Sequence, residues 1–409
     1  MERIDVAVIG AGQAGLAVSH ELTGAGIDHV ILEEGRIGEA WRRRWDNFCL
    51  VTPNWSVDLP GFPYDGTDPD GFMRRDEITA YLERYARSFD APVRTGVRVD
   101  AVSRGAGGRF VLETSSGGVS ARRLVVATGA YQRAHRIPGA DALPTGLLRL
   151  DTAGYRDPQS LPDGDVLVIG SGQSGVQIAE ELRLAGRRVC LSCGRAPWVP
   201  RRWAGHDIVW WLVASGFMDQ PAASLPSPAA RLTSNPLVSG HEGGHDLDLR
   251  TLRAMGVTLV GRFLGADDHE AVFAPDLAES VAWGDARYRE LMDLLRATAR
   301  ERGLEPPAPI EPEPFDGGAP ERVDLSGFGA VVFTGGFRPD YRSWLPWPAA
   351  FDDHGFPLQR DGESTVVPGL LFVGVHFLRT RKSALLMGVG EDAAVVARRI
   401  TRSRSSAAA

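Results

Sequence analysis

A glycine pattern that occurs twice, each time between a strand and a helix, restricts this chain more than any other feature. Asp5 to Ile9 is a β-branched run that leads into Gly10-Ala-Gly12-Gln-Ala-Gly15, and the apolar, helix-compatible Leu16 to Leu22 follows. Asp165 to Ile169 leads in the same way into Gly170-Ser-Gly172-Gln-Ser-Gly175, ahead of a helical Val176 to Leu184. In such a turn the first glycine permits the tight bend and the second lets the backbone approach a pyrophosphate. The third allows close packing of helix on strand. The helix N-terminus presents unpaired N–H groups and a positive dipole end to the phosphates. One such turn is weak evidence. Two in the right context predict an α/β chain with two dinucleotide-binding, Rossmann-like units. Gly10, Gly12, Gln13, Ala14 and Gly15 are the candidates at the first site, and Gly170, Ser171, Gly172, Gln173, Ser174 and Gly175 at the second.

The strands after the two helices end differently. His29 to Leu32 ends in Glu33, where a carboxylate accepts hydrogen bonds from a ribose. Arg188 to Ser192 runs instead into Cys193-Gly-Arg195, with Arg201 and Arg202 close behind. An acid would repel a 2′-phosphate, whereas arginine pairs with one in a bidentate manner. The first site therefore reads as FAD or NAD and the second as NADPH, with Arg195 and Arg201 as its phosphate partners. A solvated surface is the alternative reading of those arginines.

Composition narrows the class. The 409 residues exceed one ordinary core, so two to three domains are expected. A net charge of −7 argues against a nucleic-acid partner. No apolar run reaches the roughly 18 residues of a membrane span, and the N-terminus enters a strand at once without a signal-peptide pattern. Cys49, Cys190 and Cys193 suit a reduced compartment, so the protein is expected to be cytoplasmic. Cys190 and Cys193 form a C-x-x-C, but on a strand residues three apart point to opposite faces. Two buried small residues are the better reading there. His241 and His245 lack an evident third ligand, and no metal site is expected.

Leu124 to Ala127 ends in Thr128-Gly129, and Ala330 to Phe333 ends in Thr334-Gly335-Gly336. Strands that stop in this way mark places where backbone passes close to a ligand. Gly369 to Val375 reads as a strand, and Ser383 to Ile400 as a helix interrupted at Gly388 and Gly390. Asp276 to Arg302 is amphipathic. Trp210 and Trp211 either line a pocket or pack domains together, with packing the favoured reading. The tail from Ser403 to Ala409 is expected to be disordered.

Together these segments resemble the flavin-containing monooxygenase superfamily, in particular its bacterial and plant YUCCA-like branch. The resemblance rests on both glycine turns, on Trp41-Arg-Arg-Arg-Trp45-Asp and on Leu59-Pro-Gly-Phe-Pro63. It extends through Tyr81-Leu-Glu-Arg-Tyr85-Ala, Ala127-Thr-Gly129, Tyr155-Arg-Asp-Pro158 and Thr334-Gly-Gly-Phe-Arg338-Pro-Asp340. It implies an FAD domain built from residues 1–160 and 326–402, with an NADPH domain, 161–325, inserted between them. Glu34, Trp41, Arg42, Val99, Thr128, Gly129 and Gly374 would join the FAD site, and Gly335 and Arg338 the NADPH site. Asn54 would stand in for the family asparagine that helps hold activated oxygen, and Gln173 and His376 would face the flavin.

The implied activity is that of an NADPH-dependent flavin monooxygenase: NADPH reduces the flavin, and O2 added at flavin C4a yields one oxygen atom for a small organic substrate. Asp151 stands where the family motif carries a histidine. That makes Baeyer–Villiger oxidation or oxidative decarboxylation at a carbonyl the alternative to oxygenation at nitrogen or sulfur. An NADPH-dependent reductase of a disulfide or protein partner is a further alternative. No nucleic-acid or membrane partner is expected, and a homodimer is compatible with the reading.

Overall fold

The computed structural model describes residues 1–267 and 269–408, with 403–408 as backbone only. In chain order the elements that matter are β1 (Glu2–Ile9), α1 (Gln13–Gly24), β2 (His29–Glu33), α2 (Arg75–Ser88), β3 (Val93–Thr95) and β4 (Gly117–Val126). They continue with β5 (Leu148–Asp151), β6 (Asp165–Ile169), α3 (Gln173–Leu184), β7 (Val189–Ser192) and β8 (Thr258–Val260). The last are α4 (Leu277–Glu301), β9 (Phe328–Phe333), β10 (Leu370–Phe372) and α5 (Val389–Ala408).

Two parallel sheets result. The first runs β10-β4-β1-β2-β3. A hairpin, Val99–Arg104 with Phe110–Thr114, adds antiparallel to β4. The second sheet runs β5-β9-β6-β7-β8. Parallel strands are covered on both faces and therefore need near-continuous apolar sequence. In β1, Val6 and Val8 enter one core, against α1, α2 and α5, while Ile4, Ala7 and Ile9 enter the opposite one. In β6, Val166 and Val168 separate from Leu167 and Ile169 in the same alternation. Each such fully buried valine or isoleucine contributes roughly 1.5–3 kcal/mol.

The second sheet reaches past the expected 161–325 at both ends. Its edge strand β5 is half-buried along its whole length, so its sequence carries little apolar signal. Strand β9 is central, with Ala330, Val331 and Val332 fully buried. The chain thus enters the second domain before the glycine turn and leaves it after residue 333.

A third layer covers both domains. Trp203, Ile208, Trp211, Met218 and the apolar face of α4 form one core, and Val51, Trp55, Leu385 and Met387 of the first domain pack against it. Trp211 is fully buried and donates its Nε1–H to Trp203 O at 2.8 Å. Trp210 stacks on His206 at 4.2 Å. Both tryptophans pack.

The C-terminus departs from expectation twice. Ser383 to Gly388 forms turns, and the helix begins only at Val389. Its backbone then stays helical through Ala408, because no glycine or proline after Gly390 interrupts it. Ala409 lies outside the described residues. Among the described residues no helix is long and apolar enough to cross a membrane.

Candidate nucleotide and oxidation site

Both glycine turns have the geometry their spacing implies. Gly10 has φ +101° and Gly170 +113°, conformations that a side chain disfavours. A Cβ on Gly15 would lie 1.8 Å from Gly10 O, and one on Gly175 would lie 1.9 Å from Gly170 O. These glycines let each helix sit directly against the preceding turn. Gly12 differs, because a Cβ there would meet nothing within 4 Å. Protein packing does not require that glycine, so the open side of the turn can receive a phosphate. At Gly172 only Ser234 comes near, with Oγ 3.6 Å from where a Cβ would lie.

Around the first turn, the Glu33 carboxylate accepts from Ala11 N at 2.7 Å and Gly35 N at 2.8 Å. Glu33 therefore sits at the turn itself, where a ribose would lie against it. Glu34 is exposed. Trp41 donates its indole N–H to Gln13 Oε1 at 2.9 Å, and Gln13 donates to Ala384 O at 3.2 Å. That chain of bonds ties the Trp41 segment and the C-terminal loop to the start of α1. Arg42 is paired with Glu83 and braces α2. Thr128 and Gly129 follow β4, while Val99 is half-buried at the start of its hairpin. Gly374, φ +76°, lets the end of β10 approach α1, since a Cβ there would lie 2.5 Å from that of Ala14.

Around the second turn, several side chains serve the fold. Ser171 Oγ accepts from Gly194 N at 3.0 Å. Gln173 donates to Val238 O at 2.7 Å, so its amide holds the 233–239 segment in front of the turn. Ser174 is half-buried. Thr334 Oγ1 donates to Gly170 O at 2.6 Å or Ile169 O at 3.0 Å. Arg195 is exposed, and no described carboxylate pairs with it. Gly335 packs against Ile137, and Arg338 lies directly across a two-stranded ribbon from Arg133. Those two arginines share a cleft with Asp340, Arg342, Asp353 and His354.

Three sequence expectations need correction. Arg201 is not a surface partner for a phosphate: it is 1 % exposed, paired with Asp207, and donates to Val51 O at 2.8 Å. Its chemistry is that of a buried clamp between segments 50–55 and 201–207. Asn54 is buried, and its amide is engaged by backbone, accepting from Met73 N at 2.7 Å and donating to Asp68 O at 2.9 Å. It shapes a loop and does not present its side chain to a reacting centre. Gln173, expected to face the flavin, is held by Val238 as described above.

The polar wall that the structure assembles instead is His376, Tyr131 and Arg44. His376 follows β10 and meets Tyr131 edge-on at 4.2 Å. Tyr131 also touches Phe337 and lies beneath the Arg44 guanidinium, 5.8 Å from its ring centre. Desolvation pushes the His376 imidazole down to about 4 and the Tyr131 phenol up, although the tyrosine, crowded on one side, is still 54% exposed. Both groups are therefore neutral near pH 7. Neither Tyr131 nor Arg44 was singled out from sequence; only the Trp41–Trp45 run hinted at Arg44.

Asp151 accepts from Ala153 N and Gly154 N, both at 2.9 Å, so it caps a turn ahead of the buried Tyr155. Cys190 and Cys193 enter opposite cores, and burial raises both thiols, Cys190 to about 12. They do not form a dithiol pair. His245 is held by Glu180 at 2.5 Å, and that carboxylate raises its pKa. The bond therefore stabilises the fold fully below the unfolded value of about 6.5 and fades as pH rises through the higher folded value. The melting-temperature gap between wild type and His245→Gln should be widest near pH 5.5 and narrow toward pH 9. A gap that is flat or grows with pH would show that the pair does not act this way.

The family model for pyridine nucleotide-disulphide oxidoreductases matches residues 7–212. The chain is 31% identical over 392 residues to an uncharacterized oxidoreductase, CzcO-like, of Geobacillus kaustophilus, covering 95% of this chain and 96% of that one. It is 32% identical over 195 residues to the indole-3-pyruvate monooxygenase YUCCA4 of Oryza sativa, covering 43% of this chain and 44% of that one. The solved flavin-containing monooxygenase of Stenotrophomonas maltophilia superposes with a TM-score of 0.69 at 22% identity, over 99% of this chain and 100% of that one. The chain belongs to the pyridine nucleotide-disulphide oxidoreductase family.

Proposed function

We propose that this chain is an FAD- and NADPH-dependent monooxygenase that uses O2 to oxygenate a small organic substrate at nitrogen or sulfur. The observation that carries this reading is the pair of glycine turns, the first fully open on its phosphate side and the second approached only by Ser234, on a fold shared with solved flavin monooxygenases. The residues present fit both nucleotides. Gly12 and the N-terminus of α1 would receive the FAD diphosphate, with Glu33 at its ribose. Gly172 and α3 would receive that of NADPH, with Arg195 at the 2′-phosphate. FAD, once bound, supplies the redox chemistry by accepting hydride and activating O2.

The protein's own share is positioning and exclusion of water. Trp41, Gln13 and the Ala384 carbonyl lock the C-terminal loop onto the first turn. Near neutral pH His376 is an uncharged imidazole and Tyr131 keeps its phenolic proton, so both offer hydrogen bonds without charge. Neither His376 nor Tyr131 is a strong base, which suits a substrate whose own lone pair attacks. Asp151, engaged as a turn cap, supports oxygenation of a heteroatom over a carbonyl reaction. The separation of Cys190 from Cys193 leaves disulfide reduction without its dithiol.

The test uses purified, FAD-loaded protein. NADPH should bleach the yellow flavin band under nitrogen. In air, with a panel of thioethers and tertiary amines, at least one should speed NADPH consumption and yield a sulfoxide or N-oxide. Its oxygen should carry the isotope supplied as labelled O2. Failure of NADPH to bleach the flavin, or a product without the label, would reject the reading.

A further inference from the structure

Arg44 is a cation without an anion. Its guanidinium lies 5.7 Å from the centre of the Phe48 ring and 5.8 Å from that of Tyr131, at the outer limit of useful cation–π attraction. Among the described residues no carboxylate pairs with it and no oxygen accepts from it. The acids nearest in sequence are engaged elsewhere: Glu39 with Arg36 and Arg43, Asp46 with Arg75. Glu181 takes the Asn47 amide at 2.8 Å.

Desolvation lowers the pKa of Arg44 although the side chain is only half-buried. Its surroundings are crowded with protein, yet part of the side chain, like the Tyr131 ring beside it, stays open to solvent. A desolvated charge is tolerated when a partner compensates it.

The backbone holds Arg44 firmly in this place. Its carbonyl accepts from Arg156 Nη1 at 3.2 Å and Arg75 Nη1 at 3.4 Å, and the adjacent Trp45 is buried in the second domain's core. Tyr131 and His376, the next groups along the wall, follow the carboxyl ends of β4 and β10. Doubly wound sheets bind their ligands at those ends. On the other side, Asn47 touches Glu181 of α3, the helix of the second glycine turn. Glu181 lies toward the end of α3 away from the glycine turn, so these contacts place the guanidinium at the junction of the two domains.

We infer that Arg44 is the anion-binding residue of the interdomain cleft, taking an oxyanion, phosphate or carboxylate, of the molecule bound there. This rests on the reading above, that the cleft holds a nicotinamide nucleotide and a substrate. Guanidinium is suited to the task because its planar fork meets two oxygens at once.

The experiment uses FAD-loaded wild type, Arg44→Met and Arg44→Lys. Tryptophan fluorescence and thermal melts are followed against NADP⁺, inorganic pyrophosphate and benzoate. Arg44→Met should melt at or above the wild-type temperature without ligand, because it removes an uncompensated charge. Its apparent affinity for at least one of the three should fall at least tenfold, with Arg44→Lys in between.

A loss confined to NADP⁺ and pyrophosphate identifies the nucleotide diphosphate as the source, and one confined to benzoate a carboxylate substrate. Loss of FAD on purification of Arg44→Met identifies the flavin diphosphate. Wild-type affinities in Arg44→Met for all three ligands, with FAD retained, overturn the inference. So does a lower melting temperature without ligand, which marks Arg44 as a mere brace, or a wild type that binds none of the three. Wild-type bleaching by NADPH is scored separately, so failure of the broader reading is distinguishable from failure of this one.

Discussion

Replacing Gly15 with alanine is expected to collapse the fold of the first domain, whereas the same change at Gly12 should leave the fold intact and abolish retention of FAD. The two glycines differ in what surrounds them. A methyl on Gly15 would sit 1.8 Å from the carbonyl oxygen of Gly10, and backbone at the end of a central parallel strand cannot yield as a side chain can. Overpacking usually costs about 1–3 kcal/mol, and a rigid backbone partner places this case at or above the top of that range. A methyl on Gly12 meets no protein atom within 4 Å. It would instead stand where a diphosphate approaches, so its whole effect falls on the ligand. The measurements are the flavin-to-protein absorbance ratio after desalting and the melting temperature of the flavin-free protein. Gly12→Ala should lose at least a tenfold factor in FAD affinity, about 1.4 kcal/mol, with an unchanged apo melt. If Gly12→Ala retains FAD, or if Gly15→Ala melts like wild type, the assignment of roles within the turn is wrong.

A second pair of arginines separates stability from cofactor choice in the same way. Arg201 is buried, bonded to Asp207 and to the carbonyl of Val51, and stacked over Phe72 at 4.9 Å. Asp207 in turn caps the Ile208–Ala214 helix through Val209 N at 2.8 Å. Arg201→Ala strands that carboxylate and the carbonyl together, and breaking a buried pair in this manner costs about 3–5 kcal/mol. A large fall in melting temperature is expected, with the preference for NADPH over NADH unchanged in whatever folds. Arg195→Ala should do the reverse. An exposed arginine costs the fold about 0.5 kcal/mol or less. A lost charge-assisted bond to a 2′-phosphate is worth about 1.5–3 kcal/mol, an order of magnitude or more in the ratio of KM for NADPH to KM for NADH. Steady-state kinetics with both nucleotides decides the matter. An unaltered ratio in Arg195→Ala would remove the basis for assigning NADPH.

Most of the architecture was legible because it is local. A β-branched run, a glycine triplet and an apolar helix are contiguous, so spacing alone located β1, α1, β6, α3 and the two phosphate turns. Glu33 was legible for the same reason, lying at the end of the next strand. The limits of the second domain were not, because β5 is a half-buried edge strand with little apolar pattern. Among arginines the sequence could not separate Arg195 from Arg201. One is exposed and the other sealed, and that depends on Val51, Ser239 and Asp207 arriving from three different segments. Asn54 failed as a candidate for a similar reason, since its amide satisfies Met73 and Asp68 within a loop whose shape is not written in its residue types.

Sequence by itself thus determined that two dinucleotide turns exist, and which of them ends in an acid. Tertiary structure decided what stands between them. His376, Tyr131 and Arg44 come from three places far apart in the chain and meet because β4 and β10 are paired neighbours in the first sheet and the Trp41–Trp45 segment packs beside the loops that follow them. Periodicity reports which face of an element is buried. It carries no information about which strands become neighbours, and the pairing of β4 with β10 is what brings a neutral imidazole and a phenol together beside an unpaired guanidinium.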